Sequence, residues 1–309
     1  MAVAIWYFSV FRSRNGYGQR FAPGVMNNMP KRGSSLLVFT AGDSHMSVNN
    51  IHLCYFSPTG TTRLVLESIA GSMKSAETRL HVHDWLSPES RASILECSPD
   101  DLVLVGMPVY YGRVPSLFHA GLPLSGNGAL FVPVVVYGNR HYDDALLELK
   151  NLGEAAGCTC LGAGAFIARH SLNPHMGEGR PDAEDHAMMH DFGKQLAERA
   201  ARHAVSGSVS VPGEMPYVPY GKTPFTPVLL DHDACIACGT CVSACPVRLI
   251  DPETFEPAKP EQCLFCYGCV RNCPVQVRGP VPAVAEVFDS RMNQLAARCT
   301  ERRVPETFF

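Results

Sequence analysis

From Ile51 to about Ala204, short apolar runs alternate with longer amphipathic stretches, the pattern of successive strand and helix units. The strand candidates are IHLCYFS (51–57), TRLHVHDW (78–85), DLVLVGM (101–107), ALFVPVVVYG (129–138) and AFIARH (165–170). Most of these are nearly continuous in apolar residues, as parallel strands covered on both faces are. Helix candidates fall between them at 61–75, 115–121, 143–156 and 182–204, the last starting after Pro181. The expected fold is α/β, a doubly wound five-stranded parallel sheet with helices on both faces.

The pattern then stops. The stretch SGSVSVPGEMPYVPYGKTPFTP (206–227) is rich in Gly, Ser and Pro and carries neither period, as an extended linker would. This predicts an extension over 1–48, a first domain over 49–205, a linker over 206–226, a second domain over 227–280 and a C-terminal helix or tail over 281–309.

A chain of 309 residues has room for two domains, and 46% hydrophobic with 18% charged residues is the balance of a folded protein. A net charge of -3 with no continuous basic run argues against a nucleic-acid partner. The N-terminal MAVAIWYFSVF is ended by Arg12 and Arg14, short of the ~20 residues a spanning helix needs, so no membrane span is expected. Basic residues precede the first acid, Asp43, which an organelle presequence would also show. A disordered extension is the reading adopted, and the expected location is cytoplasmic.

Cysteine usage changes the picture. Of 13 cysteines, eight lie between Cys235 and Cys273, a clustering that points to metal in a reducing compartment rather than to disulfides. CIACGTCVSACP supplies Cys235, Cys238, Cys241 and Cys245; CLFCYGCVRNCP supplies Cys263, Cys266, Cys269 and Cys273. Each has the spacing C-x2-C-x2-C-x3-C-P. Three close thiolates reach one cubane, and the fourth, entering a helix, turns toward the other. One [4Fe-4S] cluster is therefore expected on Cys235, Cys238, Cys241 and Cys273, and a second on Cys263, Cys266, Cys269 and Cys245. Paired C-x2-C units also bind zinc, the alternative. The spacing resembles the bacterial two-cluster ferredoxins over 227–280, which implies a small α+β domain carrying single electrons at low potential.

At the end of the first strand candidate, Ser57-Pro58-Thr59-Gly60-Thr61-Thr62 brings hydroxyls, a glycine and a helix N-terminus together, a composition that can hold a phosphate. Two further loops follow the third and fourth strands, where an open parallel sheet forms its ligand crevice. They are Gly106-Met107-Pro108-Val109-Tyr110-Tyr111-Gly112-Arg113-Val114-Pro115 and Tyr137-Gly138-Asn139-Arg140-His141-Tyr142-Asp143-Asp144. The first of the three loops matches the T/S-x-T-G-x-T loop of flavodoxins. Together with the cysteine motifs, the three resemble bacterial flavodoxin-ferredoxin fusion proteins over about 50–280. That resemblance implies FMN, with Ser57, Thr59, Gly60, Thr61 and Thr62 at its phosphate. It assigns Pro108, Val109, Tyr110, Tyr111, Gly112 and Arg113 to one side of the ring, and Tyr137, Gly138, Asn139 and Tyr142 to the other.

The resemblance implies an iron-sulfur flavoprotein in electron transfer between two [4Fe-4S] clusters and FMN. The alternative is an FMN-dependent reductase of a small oxidised substrate such as a quinone, nitro compound or corrinoid. No G-x-G-x-x-G loop follows a strand, so a separate low-potential redox protein or reductase is the expected partner, and the sequence names no terminal acceptor. His170 could stand near the flavin as a proton donor; His186 and His190 read as a solvated helix face; the other five cysteines read as small buried hydrophobes.

Overall fold

The computed structural model describes residue 48 and residues 50–73, 78–202 and 208–309. The extension expected over 1–48 lies outside the described residues except for Val48, as do the end of the first helix candidate and residues 206 and 207 of the linker.

The first half runs β1 (Asn50–Tyr55), α1 (Thr61–Gly71), β2 (Arg79–Asp84), α2 (Pro88–Ala92), β3 (Leu95–Glu96), β4 (Asp101–Pro108), β5 (Leu124–Ser125), β6 (Leu130–Tyr137), α3 (Ala145–Ala155), β7 (Thr159–Cys160), β8 (Ala163–Ile167) and α4 (Ala183–Ala201). The five long strands pair in parallel in the spatial order β2-β1-β4-β6-β8. Counted along the chain this is 2-1-3-4-5, the flavodoxin-like winding. Along β6, Leu130, Val132, Val134 and Val136 meet α1 and α4, while Phe131, Val135 and Tyr137 meet α3 on the opposite face. Both sets are buried, which is why alternation vanishes from the sequence of this strand.

Three expectations are corrected. The helix predicted over 115–121 is a single 3-10 turn, Ser116–Phe118, because Pro115 and the glycine at 121 bracket too short a segment for an α-helix. The sheet has seven strands rather than five, among the described residues, since β7 pairs with the start of β6 and a C-terminal strand joins the far edge. The linker is extended from 208 onward but bound along its length. Val209 is buried in the core on the α3 side, and the Asp144 carboxylate accepts N–H bonds from Glu214 (3.0 Å) and Val218 (2.6 Å).

The second half adds β9 (Val228–Leu229), α5 (Thr240–Ser243), α6 (Gly268–Arg271), β10 (Arg278–Gly279), α7 (Pro282–Arg298) and β11 (Glu306–Phe308). β9 and β10 pair antiparallel and bracket the two cysteine motifs. The sequence repeat is a backbone repeat too: left-handed residues recur at Ala237 and Phe265, at Gly239 and Tyr267, and at Arg248 and Gln276. Successive residues alternating in this way turn their N–H groups into one concavity, a nest for anionic sulfur. β11 then returns to the first half and pairs antiparallel with β8.

The halves are tied by specific bonds. Asn272 Nδ2 donates to the carbonyl of Pro58 (2.9 Å), Arg271 Nε to that of Ser171 (2.6 Å) and Arg91 to that of Pro246 (2.5 Å). All described residues fall in one compact unit.

Candidate redox centres

Two cavities open among the cysteines. Cys235, Cys238, Cys241 and Cys273 line one of about 320 Å³, its mouth included; Cys245, Cys263, Cys266 and Cys269 line another of about 390 Å³. Each cavity thus takes three thiols from one motif and the fourth from the other, the crossed grouping expected from the spacing. Burial pushes the Cys266 and Cys263 thiols up and that of Cys269 to about 11. Cys238 is exposed, and the Thr240 hydroxyl and amide beside it lower its value. Buried thiols of this kind stay protonated until a metal displaces the proton. Among the described residues no three His, Cys, Asp or Glu side chains converge on a point suited to a single metal ion. The thiols instead face each other across cavities walled by apolar residues such as Leu249, Ile250 and Val277.

A third and larger cavity, about 1590 Å³ with its open mouth, lies at the carboxyl ends of the parallel strands. Thr59 and Thr61 line it at the start of α1, their hydroxyl oxygens 3.4 Å apart. Gly60 between them takes φ 83, the left-handed turn that starts the helix. Residues 108–112 form one wall, and Tyr137 and Gly138 contribute to another. Tyr111 is fixed from behind by the bound linker: its ring meets Tyr220 edge-on at 5.2 Å and its hydroxyl donates to the Lys222 carbonyl.

The other expected residues are placed elsewhere. Ser57 Oγ accepts the Arg63 N–H (3.1 Å), and Thr62 is buried against Gly106, where an added Cβ would lie 2.9 Å from its methyl. Arg113 forms a two-pronged pair with the buried carboxylate of Glu148 and stacks over Tyr217 at 4.7 Å, so its charge is already balanced. Asn139 and Tyr142 bind the C-terminal tail instead of the cavity. Asn139 Nδ2 donates to the carbonyls of Cys299 and Glu301, and the Tyr142 hydroxyl donates to Glu306. His186 bonds Ser68 (3.0 Å), consistent with a helix-face role.

The cavity also has walls that composition did not mark. Leu264 and Phe265 reach it from the second cysteine motif, and Met292 and Leu295 from α7. His170 lines it as well. Its Nδ1 accepts the N–H groups of Leu172 (3.1 Å) and Asn173 (3.2 Å), which leaves the proton of the neutral ring on Nε2. Burial, then the Arg271 and Arg140 charges, lower its pKa to about 4. Gly138 permits this packing, since a Cβ there would sit 2.4 Å from the imidazole.

Residues 227–274 match the family model of the 4Fe-4S dicluster domain, and this segment is an iron-sulfur domain. No curated protein matches the chain. Among solved structures it is similar to a flavodoxin from the domain Archaea (14% identity, 49% of this chain and 98% of that one, TM-score 0.34). It is also similar to the two-electron reduced flavodoxin of Megasphaera elsdenii (15%, 48% and 98%, TM-score 0.32). A third similarity is to the rubredoxin oxygen:oxidoreductase of Desulfovibrio gigas (11%, 52% and 38%, TM-score 0.34), of whose length the chain spans under two-fifths.

Proposed function

We propose that this protein is an iron-sulfur flavoprotein that moves electrons between two [4Fe-4S] clusters and FMN within one chain. The observation that carries the reading is Leu264, whose side chain lines both the large cavity and the cavity of Cys245, Cys263, Cys266 and Cys269. Leu264 is common to the walls of the two candidate cofactor sites.

The residues suit these groups. Eight thiols grouped four and four around apolar cavities offer the all-sulfur donor set that cubane clusters take. The Thr59 and Thr61 hydroxyls at a helix start suit a phosphate, and the aromatic and glycine-bearing walls at 108–112 and 137–138 suit a planar ring. When bound, the clusters supply one-electron chemistry and the flavin couples one- to two-electron chemistry. The chain's part is to set the order. Cys238 is exposed, so the cavity of Cys235, Cys238, Cys241 and Cys273 is the entry for an electron from a separate low-potential redox protein or reductase. The cavity beside Leu264 is the inner station. Phe265, Tyr267 and Phe225 pack against Phe288 of α7 in a buried aromatic cluster that excludes water there.

His170 favours a second reading, reduction of a small oxidised substrate over the ring. Its Nε2 holds a proton at the cavity wall while two backbone amides fix the ring. Among the described residues no helix is long and apolar enough to cross a membrane.

The test is anaerobic purification with iron, sulfide and flavin analysis, followed by a reductive titration. About eight irons and one FMN per chain are expected. Rapid mixing with a one-electron donor should reduce the clusters first and the flavin afterwards. Iron without flavin, or zinc in place of iron, would overturn the reading.

A further inference from the structure

Arg278 is 4% exposed and has no carboxylate partner among the described residues. Its Nη1 donates to the Phe255 carbonyl (2.6 Å) and its Nη2 to that of Pro227 (3.3 Å), while its Nε is buried with no acceptor. A guanidinium never loses its proton in a protein, so this is a permanent buried charge. Isolated charges of this kind are tolerated only when an anion lies close.

The nearest groups that can become anionic are thiols, one from each cavity. Nη1 is 4.0 Å from Cys241 Sγ, and the guanidinium charge also reaches the Cys269 thiol, where it acts against the upward push of burial. Cys241 belongs to the four that surround the outer cavity and Cys269 to the four that surround the inner one. Arg278 is thus a charged side chain that reaches both sets. It is held in place by β10 pairing with β9, with the Leu229 backbone as its register partner.

We propose that Arg278 is a shared counter-cation for both candidate clusters, a positioning residue that raises both reduction potentials together. The inference rests on the two-cluster reading above. Each reduction adds one electron and hence one negative charge to a cluster, with no bond made or broken and no proton required. A fixed positive charge beside both clusters stabilises both reduced states, and N–H donation toward ligand sulfur acts in the same direction. The cation's attraction acts on both sites, while the charge of the first electron repels the second and offsets part of that attraction.

The test uses the full chain with its clusters assembled, titrated potentiometrically and followed by electron paramagnetic resonance. Arg278→Gln keeps polar contacts but removes the charge, and both potentials are expected to shift downward. Arg278→Lys restores the charge and should return both toward the parent values, an outcome that a purely structural clamp on Phe255 and Pro227 would not give. A wild-type protein containing guanidino-15N arginine provides a readout independent of any variant's folding: a nitrogen hyperfine coupling to both reduced clusters is expected. Potentials unchanged in Arg278→Gln, a shift in one cluster alone, or no labelled-nitrogen coupling overturns the proposal. Wild-type protein lacking two clusters by iron and sulfide analysis sinks the two-cluster reading itself, and is thereby told apart from failure of the Arg278 role alone.

Discussion

The Tyr142 hydroxyl donates a 2.9 Å hydrogen bond to the carboxylate of Glu306, joining the loop after β6 to the first residue of β11, 164 positions later in the chain. Asn139 in the same loop clasps the backbone of Cys299, Glu301 and Arg303. With Phe288 in its second turn buried among aromatics, α7 is held there as well as by the tail that follows it, and Met292 and Leu295 are held against the large cavity.

Tyr142→Phe should therefore loosen the tail without disturbing the sheet. Loss of this hydrogen bond to a charged group is expected to cost about 1–3 kcal/mol locally. Hydrogen exchange should quicken across 299–309 while β4 and β6 keep their protection; uniform acceleration would contradict a local clasp.

Arg180 and Asp185 form a two-pronged ion pair with side chains 6% and 0% exposed. Asp185 also accepts the Asp182 N–H and so completes the cap of α4. Asp185→Ala would leave the buried guanidinium only the longer contact to Asp182 (3.7 Å) and the Arg303 carbonyl (3.1 Å), and a loss of about 3–5 kcal/mol is expected in denaturant unfolding. A loss below about 1 kcal/mol, the range of an exposed pair, would refute the burial argument.

These contacts indicate what the sequence could and could not carry. β4 and β6 are buried on both faces, so their apolar runs mark them, and the winding follows from the strand-helix alternation. β11 reads Glu-Thr-Phe and has no signal of its own, because its strand character comes from the edge of β8. Asn139 and Tyr142 stand in a loop whose composition suits a flavin edge, and their actual partners are about 160 residues away, beyond any local pattern. The cysteine spacing grouped the thiols because the whole arrangement is local to the 39 residues from Cys235 to Cys273, a single repeated loop. Leu264 is an apolar residue between two ligands in the sequence; its place at two cavities depends on how the halves dock.

His170 predicts a pH dependence. Its folded pKa is lowered from 6.5 to about 4, so the unfolded chain binds the proton more readily than the folded one between those values. Stability should be unaffected by this group above about pH 6.5, and should fall as pH drops from there to about 4, by on the order of 3 kcal/mol. His170→Gln should flatten that part of the profile relative to the parent, with the slopes from His52 and His83, also lowered by burial, left in both. Identical profiles would show that His170 titrates normally.

Thr59 and Thr61 supply hydroxyls where the proposed phosphate would lie. Replacing either with Val removes one hydrogen bond of about 1 kcal/mol, which corresponds to several-fold weaker FMN binding. Fluorescence titration of the deflavinated protein measures this directly. An unchanged affinity in the double variant would move the phosphate away from this loop.

The crossed grouping of thiols makes the last prediction the most discriminating. Cys245 belongs by sequence to the first motif but lines the inner cavity with Cys263, Cys266 and Cys269, beside Leu264. Cys273 belongs to the second motif but lines the outer cavity with Cys235, Cys238 and Cys241. Cys245→Ser should damage the inner cluster, slowing or abolishing flavin reduction while the outer cluster still accepts an electron. Cys273→Ser should damage the outer cluster, so that reduction by a protein donor slows while a small reductant still reaches the flavin through the inner one. Rapid-mixing spectroscopy of the two variants separates these outcomes. If each variant instead loses the cluster of its own motif, the ligation is not crossed and the two variants exchange their effects on donor and flavin reduction.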